Sequence, residues 1–160
     1  MLSSFISLGD NRSDRLLGQL NKEPSDSVRL EILLELSRSF NKEGKTKEQC
    51  EDILRQALLI ASSDSSFTNL SRVYNSYGVL YRNIAQYDEA LKHHLKAIDY
   101  AQRANSNLLL ASAYNSIGVV FRRMDNHPQA TQYHLLGLKS AEAVDDTANI
   151  AVSLKGTSKI

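Results

Sequence analysis

Apolar positions in the middle of the chain follow the spacing of amphipathic helices. One segment has its apolar side chains three or four residues apart for the most part, at Val73, Tyr77, Leu80, Tyr81 and Ile84. A second segment shows similar spacing, at Leu91, Leu95 and Ile98. Each set lies along one face of a helix. A short polar stretch separates the segments, so the pattern predicts a helix–turn–helix hairpin whose apolar stripes face a common interior.

This hairpin pattern is repeated forty residues later in the chain. Residues 71–82 read SRVYNSYGVLYR, and residues 111–122 read ASAYNSIGVVFR. The match continues into the second helical segment, where His94 recurs as His134. A match that keeps its register across two helices indicates a repeat protein, whose hairpins bury their apolar faces by stacking on one another.

Weaker copies of the unit lie on both sides of this pair. The upstream copy is degenerate and has one extra residue in its turn, while the downstream copy stops before a second helix. We expect a single repeat domain over 1–160, with an N-terminal helix at 1–22, repeats at 26–62, 67–104 and 108–144, and the start of a truncated fourth repeat at 147–160. An array that ends in mid-unit suggests a piece of a longer protein.

The aromatic and small residues of the two best copies resemble the tetratricopeptide repeat. One copy matches its pattern at Tyr74, Tyr77, Gly78, Tyr81, Ala90 and Ala97, and the next at Tyr114, Ile117, Gly118, Phe121 and Ala130. The chain departs from it at His94 and His134, which replace an aromatic residue, and at Gly137, which replaces an alanine. The forty-residue period resembles the long-repeat subclass found in sensory regions of bacterial signalling proteins. The resemblance implies an all-α fold, a right-handed α-solenoid of stacked hairpins.

The resemblance also implies a concave groove, lined by the first helix of each repeat, that holds a peptide or a partner helix. The positions that would bind the peptide are Arg38, Lys42, Arg72, Asn75, Val79, Arg82, Asn83, Asn115, Val119, Arg122 and Arg123. Six of these are basic, and Glu31 is the one acidic residue expected beside them. A concave surface of one sign attracts ligands of the other sign, so we expect an acidic peptide.

Two residue types in this set have alternative explanations. The amides of Asn75 and Asn115 would bond to the backbone of an extended peptide, although asparagine side chains also serve structural roles. The arginines Arg82, Arg122 and Arg123 fall in the last turn of their helices, where cations complement the helix macrodipole without any ligand.

Composition and motifs narrow the class of function. With 19 Lys+Arg against 18 Asp+Glu, the chain lacks the basic excess that drives non-specific nucleic-acid binding. Its single cysteine, Cys50, excludes an internal disulfide framework and is expected to be a buried, unreactive thiol. We expect His94 and His134 to pack between helices rather than to bind a metal. No phosphate-binding loop, nucleophile elbow or zinc-protease motif is present, so we expect neither an enzyme nor a cofactor.

These observations lead to one main functional expectation and one alternative. The main expectation is a non-catalytic scaffold that binds a protein or peptide, acidic in character, and that neither binds nucleic acid nor inserts into a membrane. The alternative is a sensory, regulatory or dimerisation region of a larger bacterial signalling protein of the histidine kinase or diguanylate cyclase type, which would permit a homodimer. We expect the cytoplasm as the compartment, or the periplasm if a signal segment has been removed.

Overall fold

The computed structural model describes residues 11–158, and every regular element in that range is an α-helix. The helices are α1 (Arg12–Leu20), α2 (Asp26–Glu43), α3 (Lys47–Ser63), α4 (Phe67–Asn83), α5 (Tyr87–Arg103), α6 (Asn107–Arg123), α7 (His127–Glu142) and α8 (Thr147–Thr157). Consecutive helices pack against each other along the whole chain. The predicted all-α solenoid is confirmed.

The helices alternate between two layers. We call α2, α4, α6 and α8 the A helices, and α3, α5 and α7 the B helices. Each A helix contacts the next A helix, whereas no two B helices within residues 11–158 come into backbone contact. The stack therefore bends toward the A helices, which line its concave face.

The turns between the helices repeat the same geometry every twenty residues. Left-handed backbone conformations occur at Ser65, Ala85, Asn105, Asp125 and Asp145, with φ between 50° and 59°. After each of these residues the chain begins the next helix, often with a side chain that caps it: Ser66, Ser106, Asn126 and Asp146 each accept a backbone N–H three residues on. A side-chain cap satisfies an N–H group that the helix itself leaves without a partner.

The apolar core is largest at the N-terminal end of the solenoid. Its main cluster comes from α1 to α4 and includes Leu33, Leu36, Leu54 and Val73, all fully buried. A second, smaller cluster between the next hairpins consists of Ala97, Ile98, Ala113 and Ile117. Helix α8 buries only Ser153 and Gly156. Apolar burial therefore decreases from the N-terminal to the C-terminal end of the described chain.

Two positions of the predicted apolar stripes are exposed, and the prediction is wrong there. Leu95 is 51% exposed because it faces outward from α5, whose buried face carries Ala97 and His94 instead. Ile84 is 38% exposed because it lies in the turn that follows α4.

The N-terminal helix α1 falls within the predicted segment 1–22. Helix α1 spans Arg12–Leu20, and the part of the prediction before residue 11 lies outside the described residues. Leu16 joins the main core cluster, and the hydroxyl of the buried Ser13 donates to Glu43 at 2.7 Å. These contacts attach α1 to α2. None of the helices within residues 11–158 is long and apolar enough to cross a membrane.

Candidate functional site

The A helices enclose a cavity of about 430 Å³ on the concave face. Its lining is made by Leu34, Ser37, Arg38, Asn41, Ser71, Arg72, Asn75, Ser76, Val79, Leu108, Leu109, Ser112, Ser116 and Asn149. These residues come from α2, α4, α6 and α8 and from no B helix. We call this cavity the groove.

Helical spacing brings the groove side chains together. Arg72, Asn75 and Val79 are three and four residues apart, so they point the same way from α4. Arg38 of α2 faces them across the groove. Four of the eleven positions predicted to bind a peptide therefore line one cavity. The other seven, described below, do not.

Arg72 is already paired inside the groove. Its two terminal nitrogens donate to the two carboxylate oxygens of Glu31 at 2.5 and 2.6 Å, which links α4 to α2. The bidentate hydrogen bond lowers the pKa of Glu31 and raises that of Arg72. Glu31 thus neutralises one of the predicted basic groups.

Arg38 carries the available positive charge of the groove. It is exposed, and within residues 11–158 it forms no ion pair, although its charge also helps to lower the pKa of Glu31. Arg38 also borders a second, smaller cavity of about 320 Å³ together with Lys42, next to the ion pair of Arg12 with Glu35. Lys42 therefore lies beside the groove rather than in it.

Asn75 stands between the groove and the helix interface behind it. Its Oδ1 lies 2.7 Å from Nδ1 of His94, and its Nδ2 donates to the hydroxyl of Ser112 at 3.3 Å. Asn75 therefore links its own hairpin to the next A helix. It is half-buried and still lines the groove.

Asn115 requires a correction, because it does not face the groove. It is 3% exposed, and its Oδ1 lies 3.1 Å from Nδ1 of His134 and 2.9 Å from the hydroxyl of Ser153. Its Nδ2 donates at 3.2 Å to the backbone oxygen and the side-chain oxygen of Asn149. Helix α8 covers Asn115, so its amide is fully used within the protein.

The two buried histidines are neutral parts of these contacts. Because Nδ2 of Asn115 donates to a backbone carbonyl, its Oδ1 must face His134, whose Nδ1 then carries the proton. Burial lowers the pKa of His134, and burial together with nearby Arg82 and His93 lowers the pKa of His94 to about 3. The predicted packing role of both histidines is confirmed, since each is 0% exposed.

Three predicted arginines lie at one end of the groove, outside the cavity lining. Arg82 is the second-last residue of α4, and Arg122 and Arg123 are the last two residues of α6. Nη1 of Arg123 donates to the backbone oxygen of Arg82 at 3.3 Å. Burial, then Arg123 and Arg122, lowers the pKa of Arg82 to about 10. Asn83 is exposed beside them, and Val119 is half-buried.

Five serines line the groove: Ser37, Ser71, Ser76, Ser112 and Ser116. Ser112 is expected there from the sequence, because it takes the place of Arg72 one repeat later. The sequence reasoning missed the other four. Each lies within one turn of a predicted groove residue, so a search for small polar residues on the same face of each A helix would find them. Asn149 joins the lining from α8, and only the stacking of the helices brings it there.

Other candidate chemistry is sparse in the described part of the chain. Cys50 is buried, as predicted, and burial raises the pKa of its thiol. Among residues 11–158, no group of three or more histidine, cysteine, aspartate or glutamate side chains is placed to hold a metal ion. The arrangement offers hydrogen bonds and charge to a ligand rather than a reactive group.

Comparison with known proteins agrees with this architecture. Residues 69–143 match the family model described as tetratricopeptide repeat. The crystal structure of BtubC (BKLC) from P. vanneervenii is similar with a TM-score of 0.72 and 19% sequence identity, over 88% of this chain. The chain spans 59% of the length of that structure. No curated protein sequence matches the chain. Residues 69–143 are therefore tetratricopeptide repeats, within a helical solenoid of the same type.

Proposed function

We propose that the groove binds an extended, acidic segment of a partner protein. Tetratricopeptide repeats generally mediate protein–protein interaction, and proteins built from them are typically non-catalytic scaffolds. The finer proposal, that the ligand is an acidic peptide in this groove, is our own. It rests mainly on one observation, the cavity in which Arg38 is accessible and forms no ion pair with any carboxylate among the described residues, although Glu31 is near enough to interact with it electrostatically.

The polar lining supports an extended ligand. Small hydroxyl groups suit this role: that of Ser116 can both donate to and accept from a peptide backbone, and that of Ser76, which donates to the backbone oxygen of Arg72, can still accept. Leu108, which is 53% exposed, adds an apolar contact at the same surface. A volume of about 430 Å³ is within the range of ligand-binding clefts. The groove therefore suits several residues of an extended chain.

Glu31 competes with such a ligand. Its carboxylate occupies the guanidinium of Arg72 in the geometry that a ligand carboxylate would adopt. An acidic peptide must therefore either displace Glu31 or use Arg38 alone.

A direct titration tests the proposal. The probe is a fluorescein-labelled dodecapeptide of alternating glutamate and serine, and the measurement is fluorescence anisotropy. We expect Arg38→Gln to weaken binding by about tenfold, because the free energy of one hydrogen bond to a charged group corresponds to roughly that change in affinity. Glu31→Gln should strengthen binding several-fold because it frees Arg72. The matched control is Arg55→Gln, which removes the same charge from α3, outside the groove.

The control decides the outcome. If Arg38→Gln and Arg55→Gln weaken binding equally, the peptide responds to overall charge and the groove is not its site. If a lysine-and-serine dodecapeptide binds as well as the acidic one, the proposed charge preference is wrong.

The alternative function, a sensory or regulatory input region of a larger signalling protein, stays a prediction from the resemblance.

A further inference from the structure

Three arginine side chains lie near enough to interact electrostatically at one end of the groove, where α4 and α6 end. Arg82 and Arg122 occupy equivalent positions forty residues apart, on two A helices that contact each other. Arg123 reaches back across the gap, because its Nη1 donates to the backbone oxygen of Arg82. We call Arg82, Arg122 and Arg123 the arginine rim.

The arginine rim has no carboxylate counter-ion in the described part of the chain. Within residues 11–158, none of the three forms an ion pair with a carboxylate, although many other cations of the chain do. The guanidinium of Arg82 instead donates to the side-chain oxygen of Asn83 at 3.3 to 3.4 Å, and Asn83 is a neutral amide. Arg82 and Arg122 are also half-buried, which makes their mutual repulsion more costly than on an open surface.

Helix macrodipoles do not fully explain this arrangement. One cation in the last turn complements a helix C-terminus, and α2, α5 and α7 each end with a single basic residue of that kind. The end of α6 has two arginines, and one of them turns toward the end of α4. Bringing three like charges together is unfavourable unless an anion offsets them.

We propose that the arginine rim binds a phosphate group on the partner segment, that is, a phosphorylated side chain. This inference rests on the proposed function, since it assigns the end of the same groove. A phosphate monoester carries a charge of about −1.5 to −2 at neutral pH and three acceptor oxygens. Three guanidinium groups from two helices can donate hydrogen bonds to all three oxygens, and their positive charges compensate the negative charge of the phosphate.

The groove itself shows why a carboxylate fits the arginine rim less well. A single arginine, Arg72, satisfies both oxygens of the Glu31 carboxylate. A carboxylate at the arginine rim would leave two of the three positive charges uncompensated. The number of guanidinium groups therefore favours a dianion over a monoanion.

Nuclear magnetic resonance tests the inference with small probes. The two probes are N-acetyl-O-phosphoserine amide and N-acetylglutamate amide, titrated at pH 7.5 and constant ionic strength while the arginine side-chain Nε–H signals are followed. We expect the phosphoserine probe to bind at least about tenfold more tightly, with the largest shifts at Arg82, Arg122 and Arg123. Arg82→Gln/Arg122→Gln should abolish that difference.

Two further variants distinguish the effect of positive charge from that of the paired guanidinium donors, and the arginine rim from the groove. Arg82→Lys/Arg122→Lys keeps both charges but loses the paired donors, so the phosphoserine probe should bind about threefold or more weakly. Arg38→Gln should leave the phosphoserine titration unchanged while it weakens the acidic dodecapeptide. Thermal unfolding of each variant verifies that the solenoid is intact.

Several results would overturn the inference. Equal affinities of the two probes, or shifts spread over all surface arginines, would show a general charge effect. Binding of inorganic phosphate without binding of the phosphoserine probe would indicate a site for the free ion. Tighter binding of a single-stranded RNA dodecamer than of the phosphoserine probe, lost in Arg82→Gln/Arg122→Gln, would assign the arginine rim to nucleic acid. If the phosphoserine probe binds as expected but the acidic dodecapeptide does not, the proposed function fails and the phosphate site stands.

Discussion

At the scale of the residue, each buried histidine is held by a glycine and an asparagine. A Cβ atom added at Gly118 would lie 2.8 Å from Cε1 and Nε2 of His134, and one added at Gly156 would meet the same ring. The imidazole therefore fills space that the missing side chains leave open. Its Nδ1 bonds to Asn115, so both its position and its orientation are determined.

This contact predicts opposite effects for two glycine substitutions. Gly118→Ala should lower the free energy of unfolding by about 1 to 3 kcal/mol, because His134 is fully buried and has no room to move. Gly18→Ala should raise it by up to about 1 kcal/mol, because α1 is helical there and nothing lies within 4 Å. Urea unfolding measures both; a Gly118→Ala variant as stable as the wild type would show that the ring can shift.

The turns predict a stabilising change at Ala85. This residue has φ of 59°, a conformation that costs an L-residue about 1 kcal/mol or more and that glycine adopts freely. Ala85→Gly should therefore raise the thermal midpoint. Ala143→Gly is the matched control, because Ala143 is also in a turn but has φ of −63°, so the same change there should be destabilising. Equal signs for the two variants would contradict the argument.

At the scale of the element, α8 differs from the other A helices in what attaches it. It buries no large apolar side chain, and Val152 and Leu154 are 45% and 52% exposed. Besides its backbone packing on α6 and α7, it is joined to them by the hydrogen bonds of Asn115 with Asn149 and Ser153 and by the close approach of Gly156 to His134. Such hydrogen bonds replace hydrogen bonds to water in the unfolded chain, so their net contribution to stability is small. The apolar burial seen for α4 contributes more.

Hydrogen exchange should therefore find α8 less protected than α6. We expect the α8 amides to exchange through local opening at a lower free energy than those of α6, because few buried apolar contacts oppose that opening. Asn115→Ala should increase exchange in α8, since it removes the side chain that joins the helices. Asn41→Ala is the control, because its side chain bonds within α2 and to Asn83, far along the chain from α8. Equal protection of α6 and α8 would contradict the prediction.

At the scale of the whole molecule, the histidines link stability to pH. His93, His94 and His134 all have pKa values lowered chiefly by burial, so the fold binds fewer protons than the unfolded chain below pH 6.5. Stability from these groups is complete above pH 6.5 and is lost as the pH falls toward their folded values. The carboxylates with lowered pKa, among them Glu31 and Glu43, lose their contribution only below about their normal value of 4.5.

The range between pH 7 and pH 5 therefore isolates the histidines. With a folded pKa of about 3, His94 alone should cost the fold about 2 kcal/mol across that range. His94→Gln should remove that share of the pH dependence, whatever its effect at pH 7. His127→Gln, the same substitution at an exposed position, is the matched control. Equilibrium unfolding in urea at several pH values provides the test, and an identical pH dependence in wild type and His94→Gln would contradict it.

Helical spacing and the forty-residue period were sufficient to predict the all-α solenoid, because both depend on local periodicity. The burial of the small residues followed from the same periodicity, whereas the burial of the two histidines followed from the resemblance, in which their position packs an aromatic residue. The different exposure of the two asparagines could not be predicted from the sequence in this way. Asn75 and Asn115 share the local sequence Tyr-Asn-Ser, yet Asn75 lines the groove while Asn115 is 3% exposed. Tertiary structure decides the difference. On the next A helix, Asn75 meets the small side chain of Ser112, which leaves it open to the groove, whereas Asn149 and Ser153 of α8 cover Asn115.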